Sequence, residues 1–560
     1  MTKRESLNGR PYAGTPHVRF DEGKVASCTA AIETEGRNSP SIAQGLPSLR
    51  RVHCRRQPEG RASVCAVTSR RGSLLYKAHV KFWIIVLTGL AGISVNAAWT
   101  YDKEAGTLTD GVWTLHATLA ASSSENLNVN GAQGKFNGEL DKVYPIDLTE
   151  IYDNNGNRYY AVSYKAFSSH SGMYNQKNQK GSALYESIER LSAFIAPKCK
   201  TVSENGCFKN CKNLVKVHLD DEVSFSDDRP FSGCLKLNDF TPRKLMVTSL
   251  KTEFFSGCSS LAGEINLPQC TTIGSKAFSG CTSLEKVVIP KVTSINNSAF
   301  SSCSNLKEVE TSTSLTVIGS AVFSGCSSLS GDCVRTLLHK GITRLGNSNS
   351  DIKDIFQNCT SFNGALIWDF PNITVYSKNG VDYPSNMVGA DFFYGCSQLE
   401  SVHFKTPVFE IRDGAFAEIA PGAEVYLHKD VVSEYYPSAI SRKTAPFPKI
   451  VLPDTEEAWL AVIGVNNFVL ERKDFNNFSW EKTIDPNAST KTGYWSDIVR
   501  MMMMDEEMCG KETIDGRDCP VPRDKRIIAF VYFTSTSNSG CGCWVLRAPL
   551  EKKGFRFILR

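Results

Sequence analysis

The chain has 560 residues, of which 41% are hydrophobic and 22% charged, a balance ordinary for globular proteins and a length that suggests several domains. Its net charge of +5 is uneven, because residues 1–81 hold 15 Lys and Arg against 6 Asp and Glu while the remainder holds 48 against 52. Once that first segment is set aside no basic domain is left, which removes the charge argument for a nucleic-acid-binding protein.

Residues 1–79 are rich in Arg, Ser, Gly and Pro and show no sustained apolar period, so they read as disordered. Lys81 then precedes a fourteen-residue apolar run, Phe82 to Val95, followed by N-A-A-W. That run is short for a bilayer span but suits the core of an export signal, and Val95 and Ala97 fit cleavage after Ala97. Residues 80–97 are therefore expected to be a signal peptide, placing the protein outside the cell or on its surface. Signal peptides begin at the N-terminus, and no methionine lies between Met1 and Met173. A GTG start at Val80 would resolve this by making residues 1–79 an upstream extension. A cytoplasmic tail on a signal anchor, touching the membrane only through 82–95, and a buried apolar helix are the alternatives.

Residues 98–182 hold alternating runs such as GVWTLHATL and RYYAVSYKAF, separated by Asn/Gly clusters such as D-N-N-G-N. These are strands and turn signals, read as a small β-rich cap or as an imperfect start of the array that follows.

The array occupies residues 183–430. Its unit, complete in residues 273–300, reads A-F-x-x-C-x-x-L-x-x-V-x-I-P, then V-x-x-I, then A-F again. The aromatic-to-cysteine element recurs at Cys211, Cys234, Cys258, Cys281, Cys303, Cys326, Cys359 and Cys396, in steps of 23, 24, 23, 22, 23, 33 and 37 residues. A period of this length with leucine at fixed offsets signals a solenoid. Weaker copies flank it, at Tyr185 and Ile188 and at Phe416 and Ile419, with isoleucine replacing cysteine, as terminal coils of a solenoid require. A position that accepts Ile or Cys is a small apolar slot, so the ladder reads as buried thiols rather than metal ligands, with inter-coil disulfides a geometric alternative. In L-E-K-V-V-I, Val287 and Ile289 point in while Lys286 and Val288 point out. Pro290 then stops the strand, and A-F-x-x-C is expected to form a short helical or 3₁₀ turn on the opposite side. The two long steps place extra residues after Cys326 and Cys359, with CVRTLLHK, Cys333 to Lys340, predicted as a short helix in the first.

This unit resembles the BspA-like, or treponemal-type, leucine-rich repeat of bacterial and protist surface proteins. The resemblance implies a curved leucine-rich-repeat solenoid with flanking β-rich regions, one short strand and one turn per coil, and attachment to host proteins or cells.

Residues 431–560 lose the period. They are expected to form a separate β-rich domain of unknown function, with strand-like runs at 527–535 and 543–560 and disulfides among Cys509, Cys519, Cys541 and Cys543. Met501 to Met504 reads as a short helix burying one face.

The last of nine histidines is His428, so the C-terminal segment has no Cys/His or Ser/His pair, and no G-x-S-x-G, H-E-x-x-H or Walker pattern occurs. His218, His339 and His403 lie in different coils without metal spacing. No catalytic residue, metal or cofactor is expected. The favoured reading is a secreted or cell-surface binding protein, adhesin-like, whose partner is an extracellular or host-surface protein or glycan. The competing one is a secreted hydrolase with the array as targeting arm and a C-terminal catalyst. Outward strand positions supply the candidate binding column: Lys216, His218, Lys286, Val288, Glu308, Glu310, Ser401 and His403, together with the two long loops.

Overall fold

The computed structural model describes residues 98–165, 189–346, 352–453 and 500–548, apart from a few positions inside those ranges, together with 470–472 and 480–481. All of them fall in one compact unit, Asn96–Arg560. The segments expected to be disordered and to be a signal peptide, residues 1–97, lie outside the described residues, as do Tyr185 and Ile188.

A regular coil of the array has three legs, and legs of one kind stack across successive coils. The first is the strand read from L-E-K-V-V-I, observed as Leu284–Val288, which pairs in parallel with Gly263–Asn266 on one side and Glu308–Glu310 on the other. The second is a two-residue strand on V-x-x-I, such as Ser294–Ile295, stacked between Thr272–Ile273 and Val317–Ile318. Val287, Ile289, Val292 and Ile295 are fully buried, so the leucine-rich pattern is the inward face of both legs.

The third leg departs from the expected helical turn. Within it, Ser301 and Cys303 N–H bond back three residues to Ser298 and Phe300 carbonyls, at 3.1 Å each. The intervening Ser298, Phe300 and Ser302 N–H groups reach forward instead, to Ser320, Val322 and Ser324 carbonyls at 2.9, 2.9 and 2.7 Å. This alternation requires left-handed backbone at two positions per coil, φ +55° at Lys276 and Ser298 and +75° and +61° at Gly280 and Ser302. The glycine of F-S-G-C fills the second of these without steric cost, and a helix is ruled out because half its donors serve the neighbouring coil.

Two side-chain ladders run behind this leg. Phe208, Phe231, Phe255, Phe278, Phe300, Phe323, Phe356, Phe393 and Phe416 stack in sequence, with centroids 5.2 to 5.7 Å apart and planes within 25° of parallel. The cysteine ladder is buried and unbridged in all eight copies. Each thiol from Cys234 onward also donates to the carbonyl of the preceding coil's phenylalanine, as Cys281 does to Phe255 at 3.1 Å and Cys303 to Phe278 at 3.0 Å. The slot is thus apolar in its walls but holds one acceptor. Burial pushes the Cys281 and Cys326 thiols well up and Cys396 to about 12, so they stay protonated donors.

The ends are closed differently. Trp99–Asp102, Thr107–Thr109, Trp113–Leu119, Asn126–Phe136, Arg158–Lys165 and Ile151–Asp153 pair into a ring of six strands. D-N-N-G-N turns between the last two in the chain, with Asp153 accepting from Asn155 and Asn157 backbone N–H. Arg158–Lys165 also pairs with Thr201–Ser203, and the separate strand Tyr144–Asp147 pairs with Leu191–Ala196, so this region feeds both strand columns. Its Tyr164 stacks on Phe208 at 5.7 Å and 3°, covering the open end of the phenylalanine ladder.

At the other end, the described residues of the segment expected to form a separate domain from residue 431 continue the array's strand column. Lys449–Leu452 continues the strand column, Gly540–Arg547 pairs with it in parallel, and Ile527–Thr534 turns back antiparallel on Gly540–Arg547. A second small core covers the outer face here, with Met501, Met502, Phe447, Phe530 and Trp544 buried together while Met504 points out. Asp505 anchors it, accepting from Phe447 N–H at 3.0 Å and Trp544 Nε1 at 2.9 Å. Cys509 and Cys543 are buried free thiols, so the expected bridges do not involve them. The side chains of Cys519 and Cys541 lie outside the described residues.

The helix predicted at 333–340 forms at Gly331–Leu337, capped by Ser330 Oγ accepting from Cys333 N–H at 3.2 Å. It occupies no surface loop. It takes the place of a strand, with Val309 N–H bonding Cys333 Sγ at 3.2 Å on one side and Arg335 Nη1 bonding Asn363 and Ala365 carbonyls on the other. The second long step carries a hairpin, Tyr376–Lys378 with Val381–Tyr383.

Candidate functional site: the outward strand face

Because a parallel strand alternates its side chains, the outward residues of successive coils line up by register. Lys286 stands opposite Glu308, and Val288 opposite Glu310, so four predicted residues come together on adjacent strands. Lys286 Nζ lies 3.1 Å from Glu308 and 3.0 Å from Glu310, and the hydrogen bonds to Glu310 and Glu308 raise its pKa. Lys216 and His218 sit on an earlier sheet, where Lys216 pairs with Asp239 at 2.8 Å. Ser401 and His403 lie beyond the helix Gly331–Leu337, which divides the column. The eight residues therefore do not form one continuous patch, because an inserted coil that reads as a loop in sequence holds a structural place in the strand ladder.

Beyond the helix the register adds residues that sequence reasoning missed. One row runs Ile367, His403, Tyr426 and the next Ala365, Ser401, Glu424. Ile367 is 47% exposed. His403 stacks on Tyr426 at 4.2 Å and 9°, Ser401 Oγ is 3.3 Å from His403 Nε2, and Tyr426 Oη donates to Glu424. Partial burial, then Lys405, lowers the His403 pKa, so its imidazole is neutral at physiological pH, while burial and the Glu424 bond push Tyr426 up to about 12. The column thus carries a short aromatic and apolar row beside the residues read from the sequence. A signal was available, since Tyr426 follows His403 by one 23-residue step in the coil where cysteine has become Ile419.

Among the described residues no group of three or more His, Cys, Asp or Glu is placed to hold a metal ion, and no helix is long and apolar enough to cross a membrane. His339 is half-buried with its pKa lowered by burial, its Nδ1 accepting from Gly341 N–H at 3.0 Å.

Coils of one strand, one short strand and one turn, stacked with period near 23, define a leucine-rich-repeat solenoid. The array belongs to the BspA type of leucine-rich repeat region, matched in six copies over residues 178–290, 248–363 and 375–449. Among solved structures, the chain is similar to the leucine-rich repeat protein of T. pallidum, with 21% identity over 40% of this chain and 94% of that one, at a TM-score of 0.30. A leucine-rich repeat protein of Bacteroides ovatus matches at 18% identity over 66% and 98%, TM-score 0.32. A leucine-rich cell surface protein of Faecalibacterium prausnitzii matches at 19% over 56% and 94%, TM-score 0.25. At these scores the likenesses carry no weight of their own, and the assignment rests on the repeat match and the coil geometry. No curated protein matches the chain.

Proposed function

We propose that the protein is an exported, non-catalytic binding protein that docks an extracellular protein through the outward face of its strand column. The observation that carries this reading is the row Ile367, His403, Tyr426, an apolar and aromatic strip with Ile367 exposed and the two rings half-buried, held on a hydrogen-bonded sheet and rimmed by Ser401 and Glu424. A rigid face of shallow positions with a few aromatic anchors suits a protein partner better than a small molecule. The export signal at 80–97 supplies the compartment. The C-terminal strands, whose buried side chains complete the solenoid core and a small second core, favour a structural role for that segment over a catalytic one.

The test begins with capture of partners from extracellular host proteins by residues 98–560. Ile367→Asp combined with Tyr426→Ala should lower the affinity for the captured partner at least tenfold while the melting temperature moves by no more than about 2 °C. Unchanged affinity would place the interface on another face.

A further inference from the structure

A concavity opens on the strand face. Strand Asp239–Thr241 ends at Pro242, and the neighbouring strand opens with a register shift between Gly263 and Glu264. Between them lies a cavity of about 460 Å³ lined by Arg243, Lys244, Ala262, Gly263, Glu264 and Asn266. Its cause is in the sequence. After Cys258 the inward isoleucine comes one residue later than the corresponding valines after Cys281 and Cys303, and the pairing with the next strand shifts register within that A-G-E stretch.

The charges around this cavity are incomplete. Arg243 is half-buried and held rigidly, Nη1 donating to Ala262 carbonyl at 2.8 Å and Nη2 to Asn238 carbonyl at 2.7 Å. Among the described residues it faces no carboxylate at ion-pair distance. Asp239, whose charge reaches it, is already paired with Lys216 at 2.8 Å. Burial lowers the Arg243 pKa, as expected of a cation short of countercharge. Lys244 is exposed beside it and makes no ion pair among the described residues. At the inner wall, Asn266 Oδ1 is buried and accepts no hydrogen bond. The single acid of the lining, Glu264, is exposed and stands opposite Lys286 in the next strand.

We infer that this cavity is a carboxylate-accepting subsite of the binding face, taking an aspartate or glutamate side chain of the partner against Arg243 and Lys244. The inference deepens the proposed protein-binding role and rests on it. Two cations beside one exposed acid favour an anionic over a cationic guest, and the aliphatic stem of Arg243 with Ala262 gives the guest's methylenes an apolar wall.

The test needs no identified partner. Saturation-transfer NMR on residues 98–560 compares N-acetyl, N′-methylamide derivatives of glutamate, glutamine and lysine. The glutamate derivative should give a several-fold stronger signal than the other two, should lose it as salt rises, and should lose most of it in Lys244→Gln. Arg243 also holds two carbonyls, so Arg243→Lys serves as the second variant, accepted only where its melting temperature matches the parent. Equal signals from all three derivatives, a preference for lysine, or a glutamate signal indifferent to Lys244→Gln would each overturn the assignment. Ile367→Asp with Tyr426→Ala lies beyond the helix and should leave the glutamate signal unchanged. Loss of partner binding in that variant alone, with the signal retained, separates the two readings.

Discussion

Replacing Cys281 separates a thiol that merely fills space from one that donates a hydrogen bond. The side chain is fully buried, and its Sγ lies 3.1 Å from Phe255 carbonyl, which also accepts Cys258 N–H at 3.0 Å. Cys281→Ala removes one buried heavy atom, about 1 kcal/mol of transfer free energy, and one weak bond to a carbonyl that keeps another, about 0.5–1 kcal/mol. The sum is about 1.5–2 kcal/mol. Cys281→Ser keeps a donor aimed at the same oxygen and should cost about 1 kcal/mol or less. Cys281→Asp sets an acceptor against an acceptor with no cation in reach, at about 3–5 kcal/mol. Urea unfolding followed by circular dichroism should therefore rank the midpoints parent, Ser, Ala, Asp. Were the slot simply apolar, serine would bury an unsatisfied hydroxyl and fall below alanine. That inversion would refute the donor role, and tolerance of Asp would mean the ladder faces solvent.

The other predictions concern the ladder's chemistry, its modularity and the surface charges. Burial raises the thiol pKa values of Cys281, Cys326 and Cys359 above the unfolded value of about 8.5, so their contribution to stability is fully present below that pH and is lost as pH rises from there through the folded values. Melting temperatures should fall steeply above pH 9, and an array with the ladder cysteines replaced by serine should show a much smaller fall. Iodoacetamide at pH 8.5 should label Cys281 and Cys326 only after unfolding, which peptide mass mapping can follow. Deleting residues 279–300, one step of 22, joins Phe278 to the equivalent Ser301 and should leave a folded, shorter solenoid by circular dichroism. Deleting 279–301 shifts the turn by one residue and should cost visibly more, and equal stability of the two deletions would contradict the turn register. Lys286→Ala with Glu308→Ala breaks an exposed pair and should change stability by about 1 kcal/mol or less in calorimetry, so a larger loss would mean the pair is structural.

The sequence by itself determined the repeat. Its period, the inward Val, Ile and Leu of each coil, the burial of the cysteines and the outward direction of Lys286 and Val288 all follow from local spacing, because each coil contacts chiefly its neighbours and the same short-range pattern is written out again every 23 residues or so. Three things were decided by tertiary structure. The turn around Phe278 is an alternating left-handed turn because half its N–H groups find partners one coil away, which no local propensity reports. The helix Gly331–Leu337 divides the binding column because the gap between Glu308–Glu310 and Gly364–Trp368 needed filling, and a helix filled it. The C-terminal strands join the solenoid because Lys449–Leu452 would otherwise leave an unpaired sheet edge, and a pairing from Val451 to Leu546, far along the chain, leaves no periodic trace in the sequence. The candidate site shows the same division: the outward residues were legible one strand at a time, but only the register between strands brought Ile367, His403 and Tyr426 into one row.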